Sequence, residues 1–230
     1  MSRMFARISR RYDRLNTIMS AGRHHAWRRM AADMAVADMS GPALDVAAGT
    51  GDLAIELAGR TQVTRVVGVD FTREMLELAV HKTRPHDSWA KASYVDGDAH
   101  TLPFAADHFI CATVAFGVRN FVDPVQALRE MARVVRPGGR VVTLEIVRQE
   151  GMGPVGLMLG LGFRYVTPWL GAIFAGDREA YTYLPQSAQV FFSARELAAS
   201  MREAGLANVT YRSLALGAVA IHVGEKLQGI

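Results

Sequence analysis

Between residues 43 and 147 the chain alternates short apolar runs with stretches whose apolar side chains recur at helical spacing. That alternation is expected of a parallel sheet covered by crossover helices. Ala43–Val46 reads as a first strand, Leu53–Gly59 as the helix after it, and Val66–Asp70 as a second strand. Over Thr72–Thr83, the spacing of Met75, Leu76, Leu78 and Ala79 predicts a helix. Ser93–Asp96 is a short third strand running into Gly97-Asp98-Ala99, and Phe109–Phe116 is a continuous apolar run typical of a strand buried on both faces. A helix over Pro124–Val135 follows, with proline at its start, and Arg136-Pro137-Gly138-Gly139 predicts its end before a fifth strand at Arg140–Val147. After an irregular apolar insertion, Ser193–Ala204 reads as a helix with Ser193 as N-cap and Glu196 as its capping-box partner. Asn208–Leu216 and Ala218–Gly224 then look like two adjacent strands joined at Gly217.

The first strand feeds Ala47-Ala48-Gly49-Thr50-Gly51-Asp52, and the second ends in Asp70, nineteen positions after Gly51. Glycines at the carboxyl end of a strand allow a sharp turn and a close approach of ligand to backbone. Thr50 and the amides that open the next helix can hold an anionic group, and Asp70 is placed to accept hydrogen bonds from ribose hydroxyls. The loop is neither the G-x-G-x-x-G of pyrophosphate binders nor the G-x-x-x-x-G-K-[ST] of nucleotide-hydrolysing enzymes. A nucleoside without a diphosphate fits better, and S-adenosylmethionine is the obvious one. Dinucleotide dehydrogenases usually continue into further crossover units, whereas class I methyltransferases end their sheet with a reversed strand. The closing strand pair and Pro137-Gly138-Gly139 favour the second. The expected fold is therefore α/β, a Rossmann-like class I S-adenosylmethionine-dependent methyltransferase with a seven-stranded sheet and reversed final strand.

Composition narrows the setting. At 230 residues with 50% apolar side chains, the chain suits one α/β domain and not a disordered one. The lone Cys111 leaves no disulfide framework or cysteine metal site within the chain, and a reducing, cytoplasmic compartment is expected. The histidines show no ligand spacing, so no metal is expected. The net charge of +4 is concentrated in Arg3, Arg7, Arg10, Arg11, Arg14, Arg23, Arg28 and Arg29, with Asp13 the one acid among them. This is either a solvated basic face or an attraction to anionic lipid at the inner face of a membrane. No nucleic-acid partner is expected.

Several segments together carry a family resemblance: Tyr12-Asp13-Arg14-Leu15-Asn16, Ser20-Ala21-Gly22 through His24 to Trp27, the glycine loop, and Phe116-Gly117-Val118-Arg119-Asn120. Arg136-Pro137-Gly138-Gly139-Arg140, Tyr181-Thr182-Tyr183-Leu184 with Ser187, and Ala220-Ile221-His222 continue it. In this order, from about residue 5 to residue 226, the chain resembles the ubiquinone/menaquinone biosynthesis C-methyltransferases. The resemblance implies methyl transfer to a ring carbon of a lipid-tailed hydroquinone, and it implies that the arginine-rich start belongs to the mature fold. A ring carbon becomes nucleophilic when its neighbouring hydroxyl loses or shares its proton, so such an enzyme must align ring and sulfonium and take or stabilise that proton.

By resemblance, Ala48, Gly49, Thr50 and Gly51 lie along the methionine part of the cofactor, Asp70 with its neighbour Phe71 on the ribose side, and Asp98 with Ala99 beside the adenine. Met75 either covers the adenine face or is plain core. Arg119, whose guanidinium is no base, is assigned to a developing phenolate and Asn120 to orienting the hydroxyl. Tyr12 and His24, from the N-terminal cap, either contact the ring or are structural. His222 is expected in the core, and His100, two after Asp98, is a further acid/base candidate. Two positions depart from the family: Ile110 stands in place of an aspartate, and Ala115, a cofactor- or substrate-contact position, in place of a serine.

The expected organisation is one methyltransferase domain over 1–230, with a helical cap at 1–40, the cofactor core at 41–150, a lid at 151–190 and a closing helix and strand pair at 191–230. Within the lid, residues 151–176 are glycine-rich and apolar, but Arg164 interrupts them, so they do not make the ~20-residue apolar run of a membrane span. A lid over an apolar pocket, dipping into a bilayer surface, is one reading; a buried cap or a homodimer contact is another. The lid also leaves open a same-fold methyltransferase acting on a different hydrophobic or phenolic metabolite. A cofactor-binding protein without activity is disfavoured by the intact Arg119-Asn120. Removing the charges of Arg7, Arg10 and Arg11 should lower co-sedimentation with anionic liposomes; unchanged co-sedimentation removes the peripheral-membrane reading.

Overall fold

The computed structural model describes residues 17, 20–36, 38–86, 89–149 and 191–227. Tyr12, the arginines before residue 17 and the 151–190 lid lie outside the described residues. Seven strands form one sheet: β1 (Gly41–Val46), β2 (Val63–Asp70), β3 (Ala92–Asp96), β4 (Phe109–Ala115), β5 (Val135–Ile146), β6 (Ala207–Leu214) and β7 (Val219–Glu225). Their order is β3-β2-β1-β4-β5-β7-β6. The first five strands pair in parallel, and β7 runs antiparallel to both β5 and β6. The expected reversed strand is thus the last one, slotted between β5 and β6.

Because successive side chains on a strand point to opposite faces, each strand feeds two cores. On one face lie α1 (Arg23–Val36) and α2 (Asp52–Ala58), whose Ala31, Ala32, Ala35, Leu53 and Leu57 pack with Ile110, Val142, Leu144 and Ile221. On the other lie α4 (Pro124–Val134) and α5 (Ala194–Glu203), whose Leu128, Met131, Leu197 and Met201 pack with Leu44, Val46, Phe109 and Val141. A further helix among the described residues, α3 (Arg73–Thr83), follows β2. α1 presents alanines to the sheet, and two arginines bind it there: Arg140 donates to the Met34 carbonyl at 3.1 Å and Arg60 to Asp33 at 2.7 Å. The described part of the cap is therefore fastened to the core by hydrogen bonds as well as by apolar contact.

Local rules account for the helix starts. Pro124 occupies the first turn of α4, where its missing N–H has no partner to lose, and Asp123 caps it by accepting from the Gln126 amide at 2.9 Å. At α5 both bonds of the capping box form, Ser193 with the Glu196 amide and Glu196 with the Ser193 amide.

Several boundaries differ by a few residues from the sequence expectation, and two of the differences have a visible cause. β5 begins at Val135 rather than Arg140, because Arg136-Pro137-Gly138-Gly139 forms an irregularity inside the strand rather than a break before it. The chain stays in the sheet there because Gly138 donates to the Lys226 carbonyl and Gly139 accepts from the Lys226 amide, a long-range closure that local propensity does not encode. β6 ends at Leu214, two residues early, since Ala215 and Leu216 turn back with φ of +48° and +56°.

Candidate active site

The carboxyl ends of β1, β2 and β4 bring the glycine loop, Asp70 and the Phe116–Asn120 segment to one edge of the sheet, where open α/β sheets bind ligands. The loop is closely fitted from beneath. Gly51 has φ +83°, and a Cβ there would lie 2.4 Å from the Tyr94 hydroxyl oxygen and 3.1 Å from Ala79 Cβ. Gly49 points the other way: nothing lies within 4 Å of where its Cβ would stand, so a ligand can meet the backbone there. Asp70 fixes that loop. Its carboxylate accepts the Gly49 amide at 2.8 Å through one oxygen and the Thr72 amide at 2.8 Å through the other. Burial pushes its pKa upward against the lowering effect of those two amides. A carboxylate has about four acceptor positions; the two amides and the Thr72 side chain take three of them, which leaves capacity for a ribose hydroxyl.

Beneath Thr50 lies a charged network absent from the sequence expectation. Asp52, the first residue of α2, is paired with Arg28 of α1 at 3.5 Å and with Lys82 of α3, which also reaches the Thr50 hydroxyl at 3.4 Å. Burial works against the Asp52 charge, but Arg28 and Lys82 outweigh it and hold the carboxyl below its ordinary range. Arg28 stacks over the Phe116 ring at 5.3 Å and donates to His24 Nδ1, so one guanidinium joins α1, the glycine-loop helix and the segment after β4. Since arginine only donates, His24 Nδ1 is an acceptor, and the ring proton sits on Nε2, 3.1 Å from the Thr17 hydroxyl. Both ring nitrogens of this buried histidine are thereby engaged within the cap.

The other expected positions fall as follows. Met75 and Ala99 are buried, Phe71 is half exposed, and Ala115 is the last residue of β4. Asp98 is exposed and accepts from the His100 amide and then its ring Nδ1 at 2.9 and 2.6 Å, which hold its carboxyl below the ordinary range. His100 Nε2 in turn accepts the Asp123 amide at 3.2 Å, linking the Asp98 turn to the start of α4. His222 is fully buried and donates through Nε2 to the Ala194 carbonyl, and burial pushes its pKa down to about 4. Arg119 and Asn120 lie in a single 3-10 turn, Val118–Asn120. The Arg119 guanidinium is 3% exposed and ion-paired with Glu145 of β5, whose carboxylate is fully buried.

Glu145 and Asp45 are the acidic residues that sequence reasoning missed here. Each is a lone acid inside an apolar strand run, Leu144-Glu145-Ile146 and Leu44-Asp45-Val46, and a buried acid in such a run demands a partner. Asp45 accepts the Thr113 hydroxyl at 2.8 Å, while burial raises its pKa from 3.8 to about 7. Among the described residues, no group of three or more His, Cys, Asp or Glu side chains is arranged to hold a metal ion.

The ubiE/COQ5 methyltransferase family model matches residues 1–226. The chain belongs to that family. It is 43% identical over 230 residues to the demethylmenaquinone methyltransferase of Roseiflexus castenholzii, covering 98% of this chain and 93% of that protein. The proteins of the same name from Deinococcus radiodurans and Thermus thermophilus are 43% and 41% identical, each over 97% of this chain and over 91% and 100% of their own length. Among solved structures, the [4+2]-cyclase SpnF superposes with a TM-score of 0.73 at 18% identity, covering 99% of this chain and 96% of that one. A Thermotoga maritima S-adenosylmethionine-dependent methyltransferase gives 0.67 at 21% identity, covering 97% and 98%. These likenesses are of fold. The family member described here is an S-adenosylmethionine-dependent methyltransferase, and the open backbone at Gly49 beside the doubly anchored Asp70 fits that cofactor.

Asp45 couples folding to pH. Its folded pKa, about 7, lies above its ordinary 3.8, so the folded state holds a proton that the unfolded chain has lost, and stability declines as pH rises through that window. Asp45→Asn should remove this loss. Urea unfolding of both proteins between about pH 4 and pH 8 should show the wild type falling relative to the variant by up to ~1.4 kcal/mol per pH unit below pH 7 and running parallel above; parallel curves throughout would refute it.

Proposed function

We propose that this enzyme methylates a ring carbon of demethylmenaquinol, giving menaquinol. The observation that carries the reading is full-length identity of 41–43% to relatives named demethylmenaquinone methyltransferase. It is supported by the juxtaposition of the Arg119 segment with the cofactor loop: a Cβ on Gly117 would lie 2.8 Å from Ala47 Cβ, so the two loops touch. The donor supplies an electrophilic methyl group on a cationic sulfur. The protein's part is to hold the ring in line with it and to favour the phenolate over the phenol.

Arg119 is assigned to that second task. Its charge favours a hydroxyl oxygen that is giving up its proton, and its own proton is not available for loss at neutral pH. Asn120 orients the same hydroxyl, and Ala48, Gly49, Thr50, Gly51, Asp70, Phe71, Met75, Asp98, Ala99 and Ala115 are proposed to line the cofactor. Tyr12 is proposed to reach the ring from the cap. The engaged ring nitrogens of His24 favour the structural alternative, in which it orients Arg28. The apolar 151–176 segment and the basic N-terminus support a polyisoprenoid-tailed substrate met at an anionic membrane surface, and the same apolar segment is the candidate homodimer contact. No helix among the described residues is long and apolar enough to cross a membrane.

Incubation with methyl-labelled S-adenosylmethionine and demethylmenaquinol should place the label on the quinol ring. Labelling of other phenols alone would transfer the reading to a different hydrophobic metabolite, and donor binding without turnover would remove catalysis from it. Arg119→Lys keeps the charge but loses the planar fork, and should lower kcat by about 100-fold while the KM for the donor stays within about threefold. A donor KM that rises with kcat unchanged would remove Arg119 from the chemical step.

A further inference from the structure

The methyl donor is a cation, and Arg119 brings a second cation to the loop that must hold it. The contact between Gly117 and Ala47 puts the turn carrying Arg119 against the glycine loop, inside a low-dielectric edge where like charges repel far more than in water. A lone guanidinium there would help a phenolate form but oppose binding of the donor. Glu145 removes the conflict. It lies at the end of β5, the parallel neighbour of β4, fully buried, and its carboxylate takes the Arg119 guanidinium in an ion pair. The same carboxylate accepts the Arg119 backbone amide at 3.3 Å and the Ile146 amide at 2.9 Å, so its position is set by main chain as well as by charge. Arg28 and Lys82, beneath Thr50, share the single carboxylate of Asp52.

We propose that Glu145 is a positioning residue that cancels the charge of Arg119 toward the sulfonium while holding its guanidinium for the acceptor hydroxyl. The pair is neutral when the cationic donor binds. Once the hydroxyl proton has passed to solvent water and the acceptor is an anion, the guanidinium lies beside opposite charge on both sides. The methyl group then leaves sulfur for the ring carbon, which neutralises donor and acceptor together, and the hydrogen displaced from that carbon leaves as a proton to restore the aromatic ring. The inference rests on the donor, not on the identity of the quinol. A failure of quinol methylation therefore leaves it testable, and its own failure leaves the substrate reading standing.

The discriminating measurement is the ratio of dissociation constants for S-adenosylmethionine, which is charged at sulfur, and S-adenosylhomocysteine, which is not. Isothermal titration with the full-length protein should show Glu145→Gln raising that ratio by about tenfold, because only the donor carries a charge that the guanidinium repels more strongly once the Glu145 carboxylate is gone. A loss of fit alone would weaken both ligands equally and leave the ratio unchanged, which overturns the proposal. The double variant Arg119→Gln with Glu145→Gln restores neutrality and should return the ratio to within about twofold of wild type, although turnover stays lost; a ratio still elevated there also overturns it. Should Glu145→Gln prove too unstable to titrate, Arg119→Gln reads the pair from the other side. With the guanidinium gone, the ratio should stay at or below the wild-type value, and a rise would count against the proposal.

Discussion

Everything at this site depends on the carboxylate of Asp70 and the two amides it holds. A helix N-terminus and a glycine turn are each poor at keeping a shape alone, because their N–H groups need acceptors and their backbone has many alternatives. Asp70 supplies one acceptor to each, at Gly49 and at Thr72, and so joins the turn after β1 to the turn after β2. The result is an edge whose ligand-facing backbone is held by the protein's own hydrogen bonds, which limits the ordering cost of binding.

Around that edge, buried acids hold cations in place. Asp52 gathers Arg28 and Lys82, and Glu145 gathers Arg119. Removing one member of such a pair leaves a buried charge without its counterion, which is more damaging than the pair itself is stabilising. The network therefore says more about geometry than about stability. It holds α1, α2, α3 and the turn after β4 in one arrangement, with Arg28 as the common member of the cap side.

Much of this was legible in the sequence, and for a physical reason. Parallel strands covered on both faces are written as apolar runs, so β1, β2 and β4 stand out, and Asp123-Pro124 and Ser193 with Glu196 mark helix starts through bonds that form within one turn. The Gly49–Gly51 turn and Asp70 share that legibility because their chemistry is local to two strand ends. The early start of β5 was hidden, since Pro137 and the glycines beside it read as a break and only pairing with Lys226, far along the chain, keeps them in the sheet. Arg28, Lys82 and Glu145 were hidden likewise: the partners they find are set by topology, and no spacing in the sequence announces them. The raised pKa of Asp45 belongs to the same class, arising from burial that the strand alone does not disclose.

The contact between Ala47 and Gly117 has a further consequence. Where these two positions face each other there is room for one methyl group and no more: a second would meet the first at 2.8 Å and Val114 at 2.9 Å. Side-chain volume at this point acts as a spacer between the glycine loop and the turn that carries Arg119 and Asn120. Exchanging which of the two positions bears the methyl, or emptying both, would reset the gap between them by a fraction of an ångström without touching any reacting group. In directed evolution toward bulkier or slimmer acceptors, this pair is the caliper to adjust.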